Sequence, residues 1–372
     1  MDKLLSMAII SLILFSCTQK KADTRMLMYI GTSNNNIEKG IELCYFDTVS
    51  GELSKAELAT PILNPNYQCI DVSNNVLYSV GKLPLDSNTW ATPVVVSYAI
   101  DANTGSLKGL SADSTYGSDP CYVAYNDLNK SMYVANYGSG NVSAYVIEKG
   151  EIKYKNTIQH FGNGPNENRQ KGPHAHSINY SSPEGYIYAA DLGADKLMVY
   201  KGINEGLQLI DSVVCHPGAG PRHFDFSPDG QLMAVLNELD CTVSLFEKDS
   251  AGIFKTALNT LTMLPDTFKS FSKAADIHFS PDGKFLYASN RGFHSIAIYK
   301  ISDKQMEFVA WETEGINWPR NFTIDPSGNF LLVANKFSDN ITVYQRDIIT
   351  GLLKKLPYET QVEKPVCLTF YR

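Results

Sequence analysis

The chain has 372 residues, 44% hydrophobic, 19% charged and 11% aromatic, and its 32 basic against 39 acidic residues leave a net charge of −7. That hydrophobic share excludes a disordered or fibrous chain, and the acidic balance excludes a basic nucleic-acid binder. Length alone permits two or three domains, so internal repetition has to decide.

Residues 1–16 differ from the rest. Leu4 to Phe15 is an apolar run behind a short polar start. It is too short to span a bilayer, which needs about 20 residues, and has the length of a secretory leader. Leu14-Phe15-Ser16-Cys17 then sets a small residue directly before a cysteine. The arrangement resembles a bacterial lipoprotein signal and implies cleavage before Cys17, acylation of that cysteine and export to a periplasm-facing or cell-envelope position. Residues 17–25 read as a lipidated cysteine and polar tether, so membrane contact is expected through the lipid only. The six remaining cysteines, Cys44, Cys69, Cys121, Cys215, Cys241 and Cys367, lie mostly in apolar runs without a CxxC pair. They read as buried free thiols, not as a zinc or redox site.

From Met26 onward the chain repeats itself. A proline-led apolar strand, a turn, a second strand ending in a polar residue and a third ending in Tyr or Phe recur in order. One copy runs from Gly220-Pro221-Arg222-His223 through Ser227-Pro228-Asp229-Gly230 to Asn237-Glu238 and on to Phe246. Further copies hold Ser280-Pro281-Asp282-Gly283 with Asn290-Arg291, and Asp325-Pro326-Ser327-Gly328 with Asn335-Lys336. The residues closing the second strands, Gly31, Gly81, Asn136, Asp191, Asn237, Asn290 and Asn335, recur every 45 to 55 positions, about 51 on average. Seven such units fill residues 26–372. Short alternating strands rich in Val, Ile, Tyr and Phe, split by tight turns and lacking a long 3.6-residue period, predict an all-β fold. The period predicts a seven-bladed β-propeller of four-stranded antiparallel blades. Lys364 to Phe370 is a lone first strand and Met26 to Gly31 starts at a second strand, so the two termini are expected to share one blade. The Pro-Asp-Gly segments read as turns, with glycine supplying positive φ, so Asp229, Asp282 and Asp325 are given no catalytic role.

Antiparallel geometry puts the segment leading into each first strand and the loop after each second strand at one mouth of the central channel. That mouth gathers His174, His176, Arg222, His223, Asp276, His278 and Arg320 from the leading segments. The second-strand ends add Tyr137, Asp191, Glu238, Arg291 and Lys336. Four of the seven histidines fall there. His223 and His278 sit deeper along their strands, where a strut role competes with substrate contact; His160, His216 and His294 read as solvated or structural. Arginines hold carboxylates or phosphates by forked hydrogen bonds and stabilise an oxyanion, and a histidine or glutamate can activate water. His174 and His176 with Glu238 could hold a metal, but three neighbouring arginines oppose it, and none is assigned. Gly162 to Lys171 reads as a loop over the mouth.

At these segments, Gly172-Pro173-His174-Ala175-His176, Gly220-Pro221-Arg222-His223, Asn237-Glu238, Ala275-Asp276-Ile277-His278 and Asn290-Arg291, the chain resembles the seven-bladed propeller lactonase family. That family holds 6-phosphogluconolactonases and carboxymuconate lactonizing enzymes. The resemblance spans Met26 to Arg372 and implies a lactone-handling site at the mouth, with family roles falling on His174, Arg222, Glu238 and Arg291.

The leading expectation is a hydrolase of a sugar-acid lactone, working on a small anionic substrate without a cofactor. In it, Arg222 and Arg291 bind the acid group and oxyanion, His174 or Glu238 activates water, and Arg320 and Lys336 hold a distal anionic group. His176, His223, Asp276 and His278 complete the expected substrate-binding set. A muconate-type cycloisomerase and a non-enzymatic binding lipoprotein are the alternatives. An exported chain also sits apart from cytoplasmic sugar phosphates, so either the signal reading fails or the lactone is another one. Nothing in the sequence sets an oligomeric state.

Overall fold

The computed structural model describes residues 24–86, 89–181, 184–203 and 206–371; the proposed leader, Cys17 and most of the tether lie outside them. Seven four-stranded sheets are present. Six are built from consecutive strands, and the seventh joins Pro365–Tyr371 to Arg25–Thr32, Ile41–Asp47 and Glu57–Thr60. We number blades from this one, blade 1, in chain order. The first strands of blades 2 to 7 are Leu63–Asp71, Pro120–Asn126, Ala175–Tyr180, Pro221–Phe226, Lys273–Phe279 and Pro319–Ile324. Each first strand packs against the first strands of both neighbouring blades, closing an unbroken ring around the channel. Leu27↔Tyr371 to Thr32↔Pro365 is the antiparallel pairing that seals it. Closure leaves no open inner edge to recruit another chain.

The apolar core is not one mass but seven layers, each shared by two adjacent blades. The recurring polar residues stitch those layers together. Tyr145 Oη donates to Ser114 O (2.7 Å), Tyr299 Oη to Thr262 O (2.8 Å) and Tyr344 Oη to Glu314 O (2.6 Å), each reaching the exit of the preceding blade. Asn136 Nδ2 to Thr115 O (2.9 Å) and Asn290 Nδ2 to Met263 O (3.0 Å) do the same from second-strand ends. In blade 4 the same positions hold Asp191 and Tyr200, and His160 bridges them, with Nδ1 2.6 Å from Asp191 Oδ2 and Nε2 2.5 Å from Tyr200 Oη. Asp191 and His160 are therefore buried struts. The Pro-Asp-Gly segments are turns, with Gly230, Gly283 and Gly328 at φ 67°, 68° and 75°. The six cysteines among the described residues are unpaired, five of them buried.

Every first strand carries a register break near its start. Cys121, His176, Arg222 and Arg320 are the single unpaired residues in blades 3, 4, 5 and 7. Such a bulge turns one side chain away from the pleat. Deeper along the strands, a second polar layer crosses the channel. His223 Nδ1 donates to Asp276 Oδ1 (2.7 Å) and His278 Nε2 to Asp276 Oδ2 (3.1 Å). Asn321 Nδ2 also donates to Asp276, and its Oδ1 accepts from Leu368 N (2.8 Å), so one buried carboxylate links blades 5, 6, 7 and 1. Burial opposes the His278 cation, but Asp276 and Asp225 outweigh it and push the ring up to about 9. Burial, with Arg222 beside it, draws His223 down to about 4. Burial would raise Asp276, yet His278 and His223 hold it well below the usual carboxylate range.

Leu368, 6% exposed in the layer between blades 7 and 1, should cost about 2–4 kcal/mol on truncation to Ala. Exposed Leu352 should change stability by under about 0.5 kcal/mol; urea unfolding of both variants checks the pair. His278, raised above its unfolded value of about 6.5, contributes stability that is complete below that pH and is lost as pH climbs through about 9. Calorimetric scans should therefore find the Tm gap between wild type and His278→Asn closing from pH 7 to pH 9.5; a constant gap would refute the charged pairing.

Candidate active site

A cleft of about 200 Å³ opens at the mouth predicted from strand direction, lined by Asn66, Asp119, Cys121, Tyr137, Arg169, His176, Glu238, Lys273, Arg291 and Arg320. Three of its walls, Cys121, His176 and Arg320, are bulge residues. A larger cavity of about 740 Å³ lies at the other end of the channel, floored by Tyr67 and Tyr122 and extending past Tyr180 and Phe226. Its lining holds no Lys, Arg or His, so it offers no cation for an anionic substrate.

Glu238 is the centre of the cleft's electrostatics. It follows the second strand of blade 5, Leu232–Asn237, with its N–H on Gly220 O (2.8 Å) and its O accepting from Ala274 N (3.2 Å). Three guanidinium groups converge on its carboxylate: Arg169 Nη2 at 2.7 Å from Oε1, and Arg291 Nη2 at 2.7 Å and Arg222 Nε at 3.0 Å from Oε2. Arg222 also donates to Ala275 O, and Arg291 to Ala274 O (2.5 Å). Burial alone would protonate Glu238, but Arg291, Arg222, His176 and Arg169 together keep it ionised well below the usual range. Burial and the neighbouring Arg291 and Arg320 pull Arg222 down to about 9, which leaves it cationic near neutral pH.

Arg169 comes from the loop expected to cover the mouth, and sequence reading gave it no role. Buried Gln170 pins that loop, donating from Nε2 to Leu192 O (2.9 Å) and Asp195 Oδ1 (2.7 Å), while its O accepts from Gly164 N (3.0 Å). The staple delivers Arg169 to Glu238 and to Tyr137 Oη (3.2 Å). Lys273 was also missed, because it begins a blade that lacks the leading proline.

The remaining cations differ in kind. Arg320 and Lys273 have no carboxylate partner among the described residues. Burial and Arg291 lower both. His176 is 5% exposed, and burial with Arg222 and His223 keeps its ring well below its usual pKa, hence neutral. Its Nδ1 lies 3.8 Å from Cys121 Sγ.

Of the residues expected at the site, Arg222, Glu238 and Arg291 meet in one ion cluster, and His176 and Arg320 line the same cleft. His174 is not among the lining residues. Its Nδ1 donates to Tyr137 O (2.9 Å), and its ring stacks on Tyr137 at 4.5 Å, behind the cleft wall. His223, Asp276 and His278 form the buried layer beneath the cleft, and Lys336 turns aside to Ser33 Oγ (3.3 Å). Among the described residues no group of three or more His, Cys, Asp or Glu is placed to hold a metal ion.

Comparison with known proteins places this architecture. The family described as "Lactonase, 7-bladed beta-propeller" matches residues 27–370. A 6-phosphogluconolactonase of Bacillus subtilis is 35% identical, over 93% of this chain and 99% of its own. One from Formosa agariphila is 35% identical, over 90% and 96%. The solved periplasmic gluconolactonase of Pseudomonas aeruginosa superposes with a TM-score of 0.86 at 30% identity, covering 93% of this chain and 99% of its own. The chain belongs to the seven-bladed β-propeller lactonase family.

Proposed function

We propose that the protein hydrolyses a sugar-acid lactone in the cleft at the channel mouth. The observation that carries the reading is the company of Arg320, a cation without a carboxylate partner, and neutral His176 in one small cleft. The 6-phosphogluconolactonases and the gluconolactonase among the similar proteins support the reaction class.

In this reading the lactone carbonyl oxygen lies toward Arg320 and Arg291, and Lys273 holds a carboxylate, phosphate or hydroxyl at the substrate's far end. His176 takes a proton from water as its oxygen bonds to the carbonyl carbon. The arginines stabilise the resulting oxyanion. As the tetrahedral centre collapses, the ring C–O bond breaks and the imidazolium returns the proton to the leaving oxygen, giving the open hydroxy acid. Glu238 is not assigned as the base, because both its carboxylate oxygens are already engaged by arginines. Its part is to fix their geometry, as Arg222 and Arg291 would otherwise repel each other. His174 acts through Tyr137, as a positioning residue.

His176→Asn should lower kcat on glucono-δ-lactone or 6-phosphogluconolactone by about 10²-fold or more. Arg320→Ala should lower kcat/KM by about 10²–10³-fold. Initial-rate assays corrected for spontaneous opening check both, and turnover unchanged in the two variants would sink the assignment. A phosphate preference would appear as a larger Lys273→Ala effect on the phosphorylated lactone.

We also propose export and lipid anchoring through Cys17. Arg25 starts a strand whose other end, at Thr32 and Ser33, meets Lys336 at the cleft mouth, so a tether would leave from the far face and hold the cleft away from the membrane. Cys17→Ala should move the protein from the membrane fraction to the soluble one; retention in the membrane would refute it.

A further inference from the structure

Five blades hold a residue in the left-handed region directly before a proline: Asn64, Asp119, Gly220, Trp318 and Lys364, at φ 46°, 49°, 63°, 57° and 49°. Glycine is at ease there, and Asn and Asp are tolerated. Tryptophan is not, because a bulky side chain in that region is a true outlier. Three other blades use Asn, Asp or Gly at this corner and one uses Lys364, whereas blade 7 places a bulky aromatic there. Strain of this kind persists only where the surroundings hold it, and it clusters at ligand clamps.

The surroundings do hold it. Trp318 N–H donates to His294 Nδ1 (3.1 Å), and Trp318 O accepts from Lys336 N (3.3 Å). Its indole stacks on Phe337 with ring centroids 4.5 Å apart and planes 21° apart. Phe337 is nonetheless 58% exposed and Phe271 69% exposed, two large apolar rings left in water beside a polar cleft. The ammonium of Lys273, which walls the cleft, lies 5.7 Å from the Trp318 ring and 5.9 Å from the Phe271 ring. The aromatic group is therefore continuous with the cleft through Lys273, and Arg320 stands two residues beyond Trp318.

We infer that Trp318, Phe337 and Phe271 form a second subsite, which receives a further sugar ring attached to the lactone, so that the preferred substrate is a disaccharide lactone. This deepens the lactonase reading and rests on it for the sugar. The cleft, at about 200 Å³, lies below the usual range of ligand pockets, roughly 300–1,000 Å³, and so accommodates one small ring with little to spare. A second ring must lie over the rim, where these side chains are. Aromatic faces offer an apolar surface to the C–H face of a pyranose, and Lys273, set between those rings and the cleft, supplies a donor for its hydroxyls.

Calorimetric titration of the full chain with gluconate and with cellobionate, the hydrolysis products of a one-ring and a two-ring lactone, tests this without relying on turnover. Cellobionate should bind about tenfold more tightly, and Phe337→Ala should bring the two within about twofold. Trp318→Asn, which installs the residue blade 2 uses at this corner, should lose the same preference while its Tm stays equal or rises. Equal affinities in wild type, binding of neither sugar acid, or a preference that survives both substitutions would overturn the subsite. Gluconolactone turnover measured alongside judges the lactonase reading separately. Turnover with no cellobionate preference removes the subsite alone, whereas the preference with no turnover removes the lactonase reading alone.

Discussion

The register break at the start of each first strand is the constraint on which the rest depends. Seven strands converge on one axis, and a regular pleat would point alternate side chains along the interblade layers. In blades 3, 4, 5 and 7 a single unpaired residue escapes that alternation and turns toward the mouth, while blades 2 and 6 carry longer breaks. Cys121, His176 and Arg320 line the cleft for this reason, and Arg222 reaches Glu238 for the same one. Their strand partners one residue on, Tyr122, His223 and Asn321, turn down into the channel and build the layer around Asp276.

Charge is distributed so that the cleft is cationic yet ordered. Three arginines crowded without an anion would repel each other and lose their geometry. Glu238 prevents this, and removing one partner of so buried a cluster leaves an uncompensated charge. The cluster thus divides the cations into Arg169, Arg222 and Arg291, which are tied to Glu238, and Arg320 and Lys273, which face the cleft without a carboxylate. In the proposed reaction it is the second group that an incoming anion would meet. Beneath, Asp276 plays a comparable part for two imidazoles and an amide, which makes the inner ring of strands rigid where no apolar core can fill the axis.

Much of this was legible in the residues. The period of about 51, the Asn and Tyr closing second and third strands, and the lone first strand at the C-terminus describe a closed seven-bladed ring. Each follows from local chemistry repeated seven times. In blades 3 and 6 the Asn, and in blades 3, 6 and 7 the Tyr, turn out to be hydrogen-bonding posts to the preceding blade, and blade 4, with Asp191 in place of the Asn, recruits His160 to complete the link. Strand direction also sufficed to name the mouth, and with it Arg222, Glu238, Arg291, His176 and Arg320.

What the sequence could not express is distance across the axis. His174 and His176 are two residues apart and look equivalent in a strand, but the bulge sends His176 into the cleft and leaves His174 stacked behind Tyr137. Arg169 sits in a loop with no periodic signal, and only the buried Gln170 staple brings it to Glu238. Nor does any local rule say which arginines are neutralised, since their partner lies 53 to 69 residues away for Arg291 and Arg169. The sequence by itself determined the repeat, the closure and the face that carries the polar residues, because those depend on turns and alternation within one blade. Only the tertiary structure decided which side chains share the cleft, which are held by partners and which remain available to a ligand, because those contacts join blades that are remote in the chain and neighbours only around the axis.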